Sequence, residues 1–206
     1  ELKSIKQLGT QVEVVAGNET ILASHVLVTV GRKPNTQGLG LENIQITPEK
    51  NGTIQVNDLL QTKHSHIYAV GDVVNGPMLA HKATYEALVV ADLLKGSKRD
   101  RHYRALPWAI FVDPEIASVG LTEEEAVKKG RSVKVSKFPF VANGRALSTN
   151  ETEGFVKIIA CSKSDELLGC HMVGSDVSNL IQEAALGIEL GASAEDIAMT
   201  IHSHPT

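Results

Sequence analysis

One stretch constrains this chain more than any other, HIYAVGDVVNGPMLAHK, from His66 to Lys82. It opens on an apolar run, Ile67 to Val70, whose β-formers read as a short buried strand. Gly71-Asp72 closes that run. Gly76-Pro77 then predicts a turn and a helix over 77–95 with Pro77 at its first position. A strand end, a carboxylate and a helix N-terminus therefore share one loop. The Asp72 carboxylate can accept from a sugar hydroxyl, and the free amides of the helix start can donate to a partly negative oxygen. That outlines a cofactor site, although an ordinary βα turn has the same spacing.

The residues themselves separate these readings. Gly71-Asp72 followed by Gly76-Pro77-Met78-Leu79-Ala80-His81-Lys82-Ala83 resembles the flavin-binding segment of the dihydrolipoyl dehydrogenase family. That family is a branch of the class I FAD-dependent pyridine nucleotide–disulfide oxidoreductases. Gly31-Arg32-Lys33-Pro34-Asn35 is similar to the exit from its NAD domain, and His202-Ser203-His204-Pro205-Thr206 to its catalytic histidine segment. The resemblance runs through the whole chain but matches only the second half of such an enzyme. It implies an α/β tail of a nucleotide-binding domain and a flavin-contacting segment, then an α+β interface domain with an antiparallel sheet backed by helices. The implied boundaries are 1–33 for the last NAD-domain strands, 34–104 for the central FAD-contacting segment and 105–206 for the dimerisation domain.

Composition excludes several other classes. With 206 residues there is material for one or two cores, and a net charge of −4 carries no bias toward nucleic acid or membrane. No apolar run reaches the length of a membrane span. Cys161 and Cys170 sit in apolar runs without metal or CxxC spacing and read as buried reduced thiols. The chain begins at Glu1 and shows no leader, which is the expectation for a piece of a longer protein. The compartment implied by the family is the cytoplasm for a bacterial source and the mitochondrial matrix for a eukaryotic one.

Along the chain, Val12 to Val15 and Val26 to Val30 read as strands separated by the Gly17-Asn18 turn. The GxGxxG fingerprint of a dinucleotide fold is absent. Half of such a site would leave core surface uncovered in residues 1–104. Ile54 to Val56 is a further strand candidate. Leu79, Ala83, Ala87, Val90, Ala91 and Leu94 form the apolar face expected of the 77–95 helix, with Lys95-Gly96 as its stop. Residues 97–104, SKRDRHYR, read as a solvated linker. Beyond it, strands are expected over 106–112, 116–121, 133–140, 155–161 and 167–173. Capping boxes at Thr122/Glu125 and Ser193/Asp196 open two short helices. A long helix between them places Val177, Leu180, Ile181, Ala184, Ala185 and Ile188 on one face and stops at Gly191.

Site residues follow from the resemblance. Gly31 would lie near NAD. Asp72, Met78, Leu79, Ala80 and His81 would bind FAD, although Met78 and Leu79 also fit plain core packing. Arg32 reads either as a functional cation or as a loop salt bridge. His204 would be the base that takes a proton from dihydrolipoamide, acting on the disulfide of the partner subunit in a homodimer formed through residues 105–206. An imidazole titrates near neutrality and suits that task. His202 is the competing candidate. The family's orienting glutamate would follow Thr206, and its redox disulfide and flavin fold would precede Glu1, so the chain alone is expected to be inactive. The implied partners are lipoyl domains of 2-oxoacid dehydrogenase or glycine cleavage complexes. Three other readings stand beside this one: a related disulfide reductase of the glutathione reductase kind, a cofactor-free dimerisation module, and a zinc site at His202/His204.

Overall fold

The computed structural model describes residues 1–96 and 101–206. The first element is an antiparallel meander of β1 (Leu2–Leu8), β2 (Gln11–Ala16) and β3 (Glu19–Ala23). Gly17, at φ +58°, supplies the left-handed turn between β2 and β3, a conformation that costs glycine little. The expected strand over Val26 to Val30 does not form. This run finds no ladder partner among the described residues, and Leu27 and Val30 stay 87% and 90% exposed.

Residues 24–79 are mostly irregular. Ile67 to Val70 is not a strand but contributes one bridge, Tyr68 to Gln61, and Ile54 bridges Val74 in the same isolated way. With a partner for only one residue, neither run can build a ladder. Ile46, Ile54, Ala69 and Val74 make a small core that seats the loop at Gly71. A single 3-10 turn, Gly71–Val73, replaces the expected strand end.

α1 spans Ala80–Leu94 and so starts three residues after Pro77. Its buried face also differs from the expected one. Lys82, Glu86 and Val89 are enclosed, whereas Ala87, Ala91 and Leu94 face outward. The reason lies outside the helix, in what Lys82 and Glu86 bind. The half of the charged run that is described is not a free linker either. Arg101 meets Asp58 at 3.8 Å, Tyr103 bonds Glu86, and Arg104 meets Glu166 at 3.1 Å. Residues 97–100 lie outside the described residues.

The second half meets the expectation closely. β4 (Trp108–Ile110), β5 (Glu115–Gly120), β6 (Val133–Pro139), β7 (Phe155–Cys161) and β8 (Leu167–Gly174) form one antiparallel sheet in the order β4-β5-β8-β7-β6. α4 (Val177–Leu190) covers one face, burying Val177, Ile181, Ala184, Ala185 and Ile188 against Ala117, Val119, Cys170 and Met172. Leu180, expected in that stripe, is exposed instead. α2 (Glu123–Lys128) closes part of the other face through Ala126, packed with Ile159 and Leu168. Both capping boxes are present, at α2 and at α5 (Ala194–Met199). A further helix, α3 (Gly144–Thr149), is capped by Asn143 and was not expected from the sequence.

Candidate functional site

Two groups of site residues lie at different places in the fold. The first is the loop into α1. Asp72 sits in the 3-10 turn with its carboxylate side chain 42% exposed, and the nearest opposite charge is the Arg32 guanidinium at 3.9 Å. That ion pair brings the segment of Gly31 beside Asp72. Gly31 itself is exposed at φ +122°, where a side chain is disfavoured. The N-cap of α1 is Leu79, and no side chain caps this helix end, so its first amides are free to meet an acceptor. Met78 and Leu79 are half-buried, while Ala80 is exposed. The His81 ring is engaged elsewhere, with Nε2 2.6 Å from the carbonyl oxygen of Pro107. A half-open carboxylate next to an uncapped helix start fits the ribityl hydroxyls and the electron-rich ring edge of a flavin.

Beneath this loop lies a buried pair that the sequence reading missed. The Gly71 amide donates to Glu86 Oε2 at 2.6 Å, and the Gly71 carbonyl accepts from Lys82 Nζ at 3.0 Å. Lys82 and Glu86 also bridge each other at 3.2 Å, and neither side chain is exposed. The Tyr103 hydroxyl donates to Glu86 Oε1. Burial, then this bond to Glu86, pushes the Tyr103 hydroxyl far above its ordinary pKa. In sequence the two charges show only i,i+4 spacing, which ordinarily marks an exposed helix pair.

The second group lies past α5. His202 Nε2 is 2.5 Å from Glu183 Oε1 on α4, and Nδ1 is 2.7 Å from the Thr200 carbonyl oxygen. Both nitrogens face acceptors, an arrangement that favours the doubly protonated ring. The Glu183 hydrogen bond accordingly raises the His202 pKa above the usual imidazole value. His204 is exposed and precedes a cis bond to Pro205. Among the described residues its ring has no hydrogen-bond partner. Asn143 at the start of α3 holds the segment by donating to the Thr206 carbonyl oxygen at 3.1 Å. Among the described residues, no hydrogen bond or ion pair links His204 to Asp72 or to residues 78–81. Among the described residues, no group of three or more His, Cys, Asp or Glu side chains could hold a metal ion.

Cys161 and Cys170 are both unpaired and buried. Burial pushes the Cys170 thiol up to about 12, while hydrogen bonds from Ser164 and Lys163 bring Cys161 down to about 7. They form no disulfide with each other.

Comparison with known proteins settles the family. Residues 1–87 match the model of the pyridine nucleotide-disulphide oxidoreductases, and residues 106–206 match that of their dimerisation domain. The chain belongs to the pyridine nucleotide-disulphide oxidoreductase family. The dihydrolipoyl dehydrogenase of Staphylococcus aureus is 47% identical over 194 residues, which is 94% of this chain and 42% of that protein. The mitochondrial dihydrolipoyl dehydrogenase of Dictyostelium discoideum is 47% identical over 91% of this chain and 38% of its own length. Two solved structures share the fold over the whole chain. The HOCl-induced flavoprotein disulfide reductase RclA of Escherichia coli superposes with a TM-score of 0.90 at 27% identity, and LpdA of Mycobacterium tuberculosis with 0.92 at 27%. This chain covers 48% and 45% of those structures. It therefore spans less than half the length of these relatives. No described helix of this family member is long and apolar enough to cross a membrane.

Proposed function

We propose that this chain is the C-terminal part of a dihydrolipoyl dehydrogenase. In that reading residues 34–104 contribute the Asp72 and residue 78–81 side of an FAD site, Gly31 lies at the edge of an NAD site, and residues 105–206 pair two subunits. His204 serves as the base. The FAD, when bound, would relay electrons from a redox disulfide to NAD. Residues of this chain would do the rest. Asp72 accepts from a flavin hydroxyl, the start of α1 faces the ring, and the His204 imidazole removes the thiol proton of a dihydrolipoyl group so that its thiolate attacks the disulfide. The chain supplies no such disulfide, since Cys170 is fully enclosed and unpaired with Cys161. Lipoyl domains of 2-oxoacid dehydrogenase or glycine cleavage complexes are the partners this chemistry requires.

One observation carries the choice of base. Both ring nitrogens of His202 are already engaged, by Glu183 and by the Thr200 carbonyl, so neither is open toward a substrate thiol. The His204 imidazole is the one left open. The same His202–Glu183 pair fixes the segment that presents it. In the intact flavin-loaded enzyme, His204→Gln is expected to reduce turnover with dihydrolipoamide by about 100-fold or more, the scale of a lost general base, with FAD still bound. Turnover at the unmodified rate would remove His204 from the mechanism.

A further inference from the structure

We infer that Lys82 and Glu86 are positioning residues for the cofactor, a buried clamp on the backbone at Gly71 that sets where Asp72 stands relative to the first turn of α1. This rests on the reading of Asp72 as a flavin ligand. The geometry is specific. Both backbone polar groups of one residue are held by one helix, the Gly71 amide by Glu86 at 2.6 Å and the Gly71 carbonyl by Lys82 at 3.0 Å. Gly71 stands at φ +78°, and a Cβ there would lie 3.1 Å from the Ala83 side chain, so backbone and helix already touch. Asp72 is the next residue, and the peptide that joins it to Gly71 is the one whose carbonyl Lys82 holds, while Glu86 holds the peptide before it. The same lysine reaches the far end of the loop, since a Cβ at Gly76 would lie 3.7 Å from Lys82 Cε. Thus the two charges hold the Gly71 end of the 71–76 loop to the helix that follows residues 78–79, and the lysine stem passes close to Gly76 at its other end.

The chemistry says why this is more than packing. Enclosing two opposite charges costs desolvation that their attraction repays only with good geometry and extra hydrogen bonds, and apolar residues of similar volume often serve stability as well or better. Here the extra bonds go to the Gly71 backbone and the Tyr103 hydroxyl. What the pair adds over an apolar pair is direction. It fixes one peptide orientation among several that an apolar contact would tolerate.

The test compares variants of the intact, flavin-loaded protein. FAD is stripped and rebound, affinity is followed by flavin fluorescence, and the bound flavin's visible absorption bands are recorded. Thermal unfolding of each apoprotein is measured in parallel. Lys82→Met/Glu86→Leu is expected to keep a cooperative transition and to bind FAD at least about tenfold more weakly with blurred absorption bands. Lys82→Met/Glu86→Gln, which returns an acceptor to the Gly71 amide, should recover much of that loss. Adding Asp72→Ala to Lys82→Met/Glu86→Leu should weaken binding little beyond Asp72→Ala alone, because coupled groups are not additive. Unchanged affinity in the first variant overturns the clamp. So do equal losses with Leu and Gln at position 86, full additivity with Asp72→Ala, or the loss of cooperative unfolding, which would make the pair a requirement of folding. If Asp72→Ala by itself leaves affinity unchanged, the flavin-ligand reading fails instead, whatever the clamp does.

Discussion

At the scale of single residues, the pairing at the C-terminus makes a pH prediction. His202 is held between Glu183 and the Thr200 carbonyl, and its pKa is raised by the Glu183 bond. A group whose folded pKa lies above its unfolded value stabilises the fold fully below the unfolded pKa, near 6.5 for histidine, and loses that contribution as pH rises through the folded pKa. The segment bearing His204 should therefore loosen as pH rises through the raised His202 pKa. Two-dimensional NMR of the imidazole signals would show His202 titrating above an ordinary histidine, and Glu183→Gln should bring it back down. A His202 midpoint that ignores Glu183→Gln would show that the pair is not formed in solution. His202 and His204 are separated by one residue, yet one is locked and the other open. The HxHPT string does not state that difference, because the locking carboxylate stands on α4, 19 residues earlier.

At the scale of elements, the sheet of the second half depends on a glycine cross-pair. Gly120 on β5 stands opposite Gly169 on β8, and the Leu121 amide then bonds the Leu168 carbonyl as β5 leaves the ladder. A Cβ on Gly169 would lie 2.0 Å from the Leu121 carbonyl oxygen, which is backbone and cannot swing aside. Gly169→Ala should cost about 2 kcal/mol or more, the range of an overpacked interior, read from the urea midpoint. A midpoint like that of the parent would mean that β5 can part from β8 there. The elements of this half were legible in sequence because their signals are local. Thr122/Glu125 and Ser193/Asp196 close their own capping boxes, and Gly191 ends α4 at φ +72°. α1 was not, because its burial is set from outside. Lys82 and Glu86 are drawn in by Gly71 and Tyr103, residues 11 and 17 positions away, and of the apolar stripe that periodicity picked out Ala87, Ala91 and Leu94 point to solvent while Leu79, Ala83 and Val90 are only half-buried. Ile67 to Val70 and Val26 to Val30 have strand composition but lack ladders, and composition does not supply a partner.

At the scale of the whole molecule, the two halves are unequally built. Residues 105–206 hold a five-stranded sheet between α4 and α2 with two contiguous cores. The first half has one small core of four buried residues, and its three-stranded meander leaves Leu2, Leu8, Ile21 and Leu22 largely exposed. Backbone protection follows buried apolar contact, so local opening should begin in the meander and reach the sheet last. Hydrogen exchange on the 206-residue chain should find amides of β5, β7, β8 and α4 slower by about two orders of magnitude or more than those of β1–β3. The difference bears on how the site works. The proposed base, His204, is carried by the well-packed half, its segment anchored through Glu183 on α4 and Asn143 on α3. The loop proposed to face the flavin belongs to the weaker half, where the Lys82–Glu86 pair supplies order that a large core would otherwise give. Slow exchange at Gly71 while β1–β3 exchange freely would agree with a locally clamped loop. Exchange at Gly71 as fast as in the meander would mean that the buried charges do not hold the loop once the rest of that half opens.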